Sequence, residues 1–206
     1  MTPPTAPRTS QEVRRRLQEA AAELIAELGW GAVSTRTVAG RARVGPGLVH
    51  YHFDSLQDLL RQATVGVMRR LTGELTALLD DAGTPEEGLE RIVGALFGYA
   101  PEDPDSLLFI EAYLAATRDE ELRRALGEVM GEAAAPLARW LAERCVPAAE
   151  ETATVLFAAL DGLMLYRSLH PGLTAEDVLP VLARTLHTPA GQPPGKQHAT
   201  EERHRT

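Results

Sequence analysis

Residues 34–60 read STRTVAGRARVGPGLVHYHFDSLQDLL, and the caps and breakers within them set the local architecture. Ser34 or Thr35 caps a short helix through Ala42, Arg43-Val44-Gly45 turns the chain, and Pro46 opens a second short helix to about Tyr51. Phe53-Asp54 ends that helix. Ser55, with Asp58 three residues on, has the pattern of a capping box ahead of a long helix to about Asp81. Two short helices joined by a tight turn have the dimensions of a helix-turn-helix, whose second helix enters the DNA major groove.

Upstream, Val13, Leu17, Ala20, Ala21, Leu24, Ile25 and Leu28 recur at helical spacing from about Ser10, and Gly29-Trp30-Gly31 ends the run. Downstream, Thr84-Pro85-Glu86-Glu87 supplies a cap, a first-turn proline and an N3 carboxylate. Further helices are expected at about 105–117, from Asp119 to about Cys145, from Pro147 to about Leu169, and from a Thr174 cap to near His187. No strand-like alternation or solenoid repeat interrupts them. The expected fold is all-α, with about nine helices. The residues divide into a flexible arm at 1–9, a three-helix helix-turn-helix domain at 10–54, a helical effector-binding and dimerisation domain at 55–187, and a polar, disordered tail at 188–206.

Charge follows the same division. The chain of 206 residues carries a net charge of −8, which alone argues against a polyanion partner. Yet residues 1–61 hold eight Arg against six Asp and Glu, a charge of +2, and the remainder carries −10. Contact with a polyanion is therefore expected only in the first quarter. No apolar run approaches the ~18 residues of a membrane span, and the polar, basic start lacks the apolar core of a signal peptide, so a cytoplasmic protein with no membrane partner is expected. The single cysteine, Cys145, cannot form an internal disulfide. His50 and His52, two apart on a helix, point in different directions, and with no third ligand nearby neither a metal nor a cofactor is expected. No nucleophile–base set or glycine-rich phosphate loop suggests an enzyme.

The stretch from Arg14 to Leu60 resembles the TetR family of one-component bacterial transcription regulators, with its core match A-x-V-x-x-G-x-x-x-Y-H-F at Ala42, Val44, Gly47, Tyr51, His52 and Phe53. The resemblance implies a homodimer in which each subunit offers residues 33–53 to half of a palindromic operator. Ser34 would cap the first short helix, whose free amides can also hold a phosphate, and Thr35 stands beside it among the DNA-binding residues. Arg36 would face DNA beside them. Gly45 and Pro46 would cap and open the recognition helix in the DNA-binding face, so that Pro46, Gly47 and Leu48 approach base edges, Leu48 offering apolar contact to a thymine methyl. His50 and Tyr51 would face phosphates or bases, while His52 and Phe53 hold the recognition helix against its neighbours. Three residues depart from the family pattern. Arg43 stands where a glycine usually completes the turn, and at positive φ would cost about 1 kcal/mol unless a phosphate contact compensates. Gly45 replaces a more usual Ser, removing a cap. Leu56 replaces a phosphate-touching Lys.

For the second domain the resemblance implies that the last two long segments form a four-helix dimer interface; Leu156, Leu160, Leu163, Val178 and Leu182 are the candidates. The effector is an unknown small molecule. Its candidate contacts are aromatic or polar residues on apolar helices: Phe97, Phe109, Glu111, Tyr113, Asp161, Tyr166 and Arg167, with Tyr99, Trp140 and Phe157 beside them. Glu111 and Asp161 can attract a cation, whereas Arg167 can pair with either or hold an acid. The reading is a repressor released from its operator by that molecule. A constitutive regulator or activator of the same fold, and a helical interaction protein that has lost DNA binding, stay open as alternatives.

Overall fold

The computed structural model describes residues 9–187; the arm expected before Thr9 and the tail expected after His187 lie outside the described residues. Nine α-helices run in chain order among the described residues: α1 Ser10–Leu28, α2 Thr35–Ala42, α3 Gly47–His52, α4 Leu56–Ala77, α5 Pro85–Gly98, α6 Pro104–Ala116, α7 Glu120–Glu143, α8 Ala149–Arg167 and α9 Ala175–Leu182. No strand occurs among them. The all-α expectation is met.

The starts follow the expected caps. Ser34 and Thr37 form a reciprocal capping box on α2, and Thr174 with Asp177 forms one on α9. At α4 the return arm is displaced: the Asp58 amide donates to Ser55 Oγ at 3.0 Å, but the Asp58 carboxylate accepts from the Asp54 amide at 3.3 Å. At α5, likewise, the Glu87 amide donates to Thr84 Oγ1 while its carboxylate accepts from the Gly83 amide at 2.8 Å. That amide and Arg91 hold the Glu87 carboxyl below its usual range.

The ends differ more. The long helix expected to about Asp81 closes as α-helix at Ala77, where the amides of Leu78, Leu79 and Asp80 bond three residues back and tighten the last turn. α8 begins at Ala149, because Cys145 and Ala148 both adopt left-handed backbone, with φ of 59° and 47°. The stretch expected as helix to His187 splits after Leu182 into a 3₁₀ turn, Ala183–His187. Pro180 within α9 leaves the Glu176 carbonyl without its helical amide partner, and the α-helical ladder runs only to the Ala183 amide on the Leu179 carbonyl.

The buried side chains form three clusters. The first joins α1–α3 and the start of α4 through Leu17, Ile25, Val38, Val49, Phe53 and Leu59, and takes in Leu108 from α6. The second packs α5, α7, α8 and α9 around Val93, Leu137, Leu156 and Leu160. The third, around Met68, Phe109, Leu122 and Val129, lies against Trp30, which also packs on the first. In the second cluster the Trp140 indole of α7 reaches α5 at Gly88, where a Cβ would sit 2.6 Å from Trp140 Cη2. Only glycine fits there without displacing the indole.

Candidate nucleic-acid interface and ligand cavity

α2 and α3 present nearly all of the residues singled out for DNA to solvent. Ser34, Arg36, Arg43, Gly45, Pro46, Gly47, Leu48, His50 and Tyr51 are exposed and Thr35 is half-buried. Tyr51 is the most open of the large apolar side chains among the described residues, at 76%. Between them Val49 and Phe53 point into the first cluster and fix the face that α3 shows. His52 is half-buried, edge-on to the Tyr51 ring at 4.9 Å.

Arg43 occupies the left-handed region at φ 53°, ψ 49°, and the Val44 amide reaches back to the Ala39 carbonyl at 2.9 Å, closing α2. Replacing Arg43 with glycine is expected to relieve about 1 kcal/mol of backbone strain. In a DNA complex it also removes one cation per half-site, lowering the salt slope of operator binding by about one unit for each phosphate that goes unneutralised. Denaturant unfolding and a salt titration check the two effects, which have opposite consequences for stability and binding.

The arginines of this region separate into two kinds. Arg41 is held by Glu23 at 3.0 Å and Glu27 at 2.6 Å, and those carboxylates raise its pKa further. Arg36 and Arg43 have no acidic partner among the described residues. Arg14 works inward: its Nη1 donates to the His52 carbonyl at 2.6 Å, its Nη2 donates to Gln62, and its guanidinium lies 4.4 Å from the Phe53 ring centroid. The carbonyl at the end of α3 is thus satisfied by Arg14 of α1. Sequence periodicity places Arg14 merely on a polar helix face. Leu56 is half-buried against the first cluster, so the position that carries a Lys in the family pattern here contributes packing.

A cavity of about 260 Å³ lies among α4–α8, lined by apolar residues that include Met68, Leu75, Phe109, Met130, Phe157 and Met164, with Thr72, Glu74, Tyr99, Asp105 and Asp161 as its polar groups. Of the candidates named from sequence, Phe109, Tyr99, Phe157 and Asp161 line it. Tyr113 donates its hydroxyl to Asp161 Oδ2 and lines a second hollow of about 300 Å³, which shares Met68 and Met130 with the first. Burial, then the hydrogen bond to Asp161, pushes the Tyr113 hydroxyl pKa up.

The other candidates lie elsewhere. Glu111 accepts from the Trp30 amide at 2.8 Å. Arg167 donates to the carbonyls of Leu96 at 2.6 Å and Tyr99 at 2.8 Å while lying over the Phe97 ring at 4.4 Å, closing the end of α5. Tyr166 is exposed and stacked on His170 at 4.0 Å. Trp140 packs beside Gly88 and under Arg144. Of the residues named for a dimer interface, Leu156, Leu160 and Leu182 are buried in the second cluster, and Leu163 and Val178 pack half-buried against it. The outward apolar residues of the same two helices are Val155, Leu165 and Tyr166 on α8 and Val181 on α9, with Leu169 just beyond α8. The leucine and methionine walls of the cavity carry no mark in the sequence that distinguishes them from core.

Residues 17–63 match the family described as bacterial regulatory proteins, tetR family, and residues 80–188 match the tetracyclin repressor-like C-terminal domain. The chain is 32% identical over 161 residues to the HTH-type transcriptional regulator BetI of Rhizobium meliloti, covering 76% of this chain and 78% of that protein. A solved TetR-family member from Streptomyces coelicolor, SCO1917, is 31% identical, with a TM-score of 0.68 over 84% of this chain and 98% of its own. A transcriptional regulator from Saccharomonospora viridis, solved in complex with choline, shares the fold at 22% identity, with a TM-score of 0.70 over 86% of this chain and 97% of its own.

Proposed function

The chain belongs to the TetR family of bacterial regulatory proteins, and within that family we propose that it is a homodimeric repressor released from a palindromic operator by a small molecule bound in the cavity of α4–α8. α2 and α3 of each subunit present Arg36, Arg43 and Tyr51 to one half-site, and two-fold symmetry doubles contacts that a single helix-turn-helix makes too few of. The exposed apolar residues Val155, Leu165, Leu169 and Val181 support α8 and α9 as the dimer face.

The observation that carries the reading is the double attachment of α6. Leu108 sits in the first cluster and Glu111 accepts from the Trp30 amide, so one face of α6 is fixed to the DNA-binding segment. Phe109 lines the cavity and Tyr113 donates to Asp161, so the roughly opposite face meets whatever the cavity holds. A ligand that displaces Phe109 or competes for Asp161 shifts a helix that cannot move without carrying Trp30 and α1 along. The ligand must bind the released conformation more tightly, since equal affinity for both states shifts nothing.

Filling the cavity tests this. Ala95 lines it from α5, and Ala95→Trp occupies the space while leaving α2 and α3 untouched. Wild-type protein on its operator fragment is expected to be released at least about tenfold by an effector found in a small-molecule screen, a coupling of ordinary allosteric size. The filled variant is expected to bind the fragment normally and ignore the effector. Equal release of both proteins would overturn the assignment of the cavity.

A further inference from the structure

We propose that the cavity of α4–α8 selects a small lipophilic organic cation, whose charged nitrogen pairs with Asp161 while its apolar body packs among Phe109, Phe157 and the methionines. This rests on the reading of that cavity as the effector site, and adds the chemical class of its ligand.

Glu74, Asp105 and Asp161 line the cavity, and no lysine, arginine or histidine does so among the described residues. Two of the carboxylates are already answered: Arg70 donates to both oxygens of Asp105 at 3.0 Å and to Glu74 at 3.2 Å. Arg167 spends its donors on the backbone carbonyls of Leu96, Phe97 and Tyr99, and Arg123, in the adjoining hollow with Tyr113, is paired with Glu120. Asp161 is left with the Tyr113 hydroxyl on Oδ2, and no cation reaches it.

Asp161 is a half-buried carboxylate on a largely apolar wall, and with one neutral hydroxyl on Oδ2 it keeps its other oxygen open to a cationic partner. Burial accordingly raises the Asp161 carboxyl, with the Tyr113 hydroxyl opposing the rise. A cation arriving at Oδ1 supplies the missing partner. An anion would meet the same carboxylate with no donor of positive charge to offset it, and a neutral ligand would leave it uncompensated.

The rest of the lining suits such a cation. Phe109 and Phe157 add aromatic rings, a residue type that attracts cations, and Met68, Met130 and Met164 give soft, polarizable walls that adapt to an irregular apolar body. At about 260 Å³ the cavity lies just below the ~300 Å³ where typical small-molecule sites begin. The occupant is therefore of the order of one aromatic ring with a short aminoalkyl arm.

Three probes with one ring and one chain length separate charge from shape: phenethylamine, phenethyl alcohol and phenylacetate, each titrated by calorimetry into the full-length protein without DNA. Wild type is expected to bind the amine roughly 10- to 100-fold more tightly than the alcohol, the range of hydrogen bonds to charged groups, and phenylacetate most weakly. In Asp161→Asn, where the amide oxygen can still accept from Tyr113, the amine and the alcohol are expected to bind within about threefold of each other, because only the charge has gone. The wild-type ranking decides the matter even if that variant fails to fold. An amine no tighter than the alcohol, a preference for phenylacetate, undetectable amine binding, or an unchanged preference in Asp161→Asn would each overturn the proposal. Charge selection at Asp161 without any change in operator affinity would leave the cation site standing and count instead against the cavity as the effector site.

Discussion

Phe53→Ala is expected to cost the DNA-binding segment about 3–5 kcal/mol, as buried phenylalanine truncations do. Phe53 is only 3% exposed and belongs to the first cluster with Leu17, Val49 and Leu59. Its ring also supports the Arg14 guanidinium that satisfies the His52 carbonyl. The substitution therefore opens a cavity under α3 and removes the platform of the side chain closing that helix. A marginal domain holds only ~5–15 kcal/mol in total, so α1–α3 should unfold at lower denaturant than the cores built on Val93 and Val129. Fluorescence of Trp30, followed in a Trp140→Phe background, reports this directly because Trp30 packs on the first and third clusters. A loss under about 1 kcal/mol would mean that α3 is held by something other than this ring and its cation.

The second large effect falls on DNA. Arg36→Ala and Tyr51→Ala each remove an exposed side chain that spans no buried contact, so folding and dimerisation should be unchanged within about 0.5 kcal/mol. On the proposed reading each side chain contributes about 1–3 kcal/mol per half-site and the dimer counts it twice; operator affinity should fall at least about 30-fold. Arg41→Ala is the control. Arg41 lies on the same α2 but is spent on Glu23 and Glu27, so its removal should move operator affinity less than about threefold. Fluorescence anisotropy at one fixed salt concentration compares the three. Equal losses for Arg36 and Arg41 would mean that bulk charge, rather than a defined face, holds the DNA.

Much of this architecture is legible in the chain because caps and breakers act locally. Ser34 and Thr84 start helices through their own hydroxyls, whereas the left-handed backbone at Arg43 is legible only through the family resemblance. Periodicity states which face of a helix is buried but not what covers it, and the departures have that origin. Glu111 reads from sequence as a polar residue for a ligand, yet it is spent on the Trp30 amide 81 positions away. Arg14 and Arg16 look alike on α1, and only the fold shows that Arg14 ties α3 down. Leu156, Leu160 and Leu182 have the spacing of an interface but are used up inside the subunit, leaving Val155, Leu165 and Val181 outward. A cavity is harder still, being the space that side chains of α4–α8 fail to fill, and Met68 in its wall is spelled like any core methionine.

The central claim, that the exposed faces of α2 and α3 of a two-fold dimer read an operator, is tested most directly by selecting genomic DNA fragments on the purified full-length protein and titrating the enriched fragment at controlled salt. The account predicts an enriched palindrome whose half-sites are spaced by whole turns of the DNA helix, bound by two chains and lost to Arg36→Ala. Enrichment no greater than that of random fragments, or a site bound equally well by Arg36→Ala and Tyr51→Ala proteins, would contradict it.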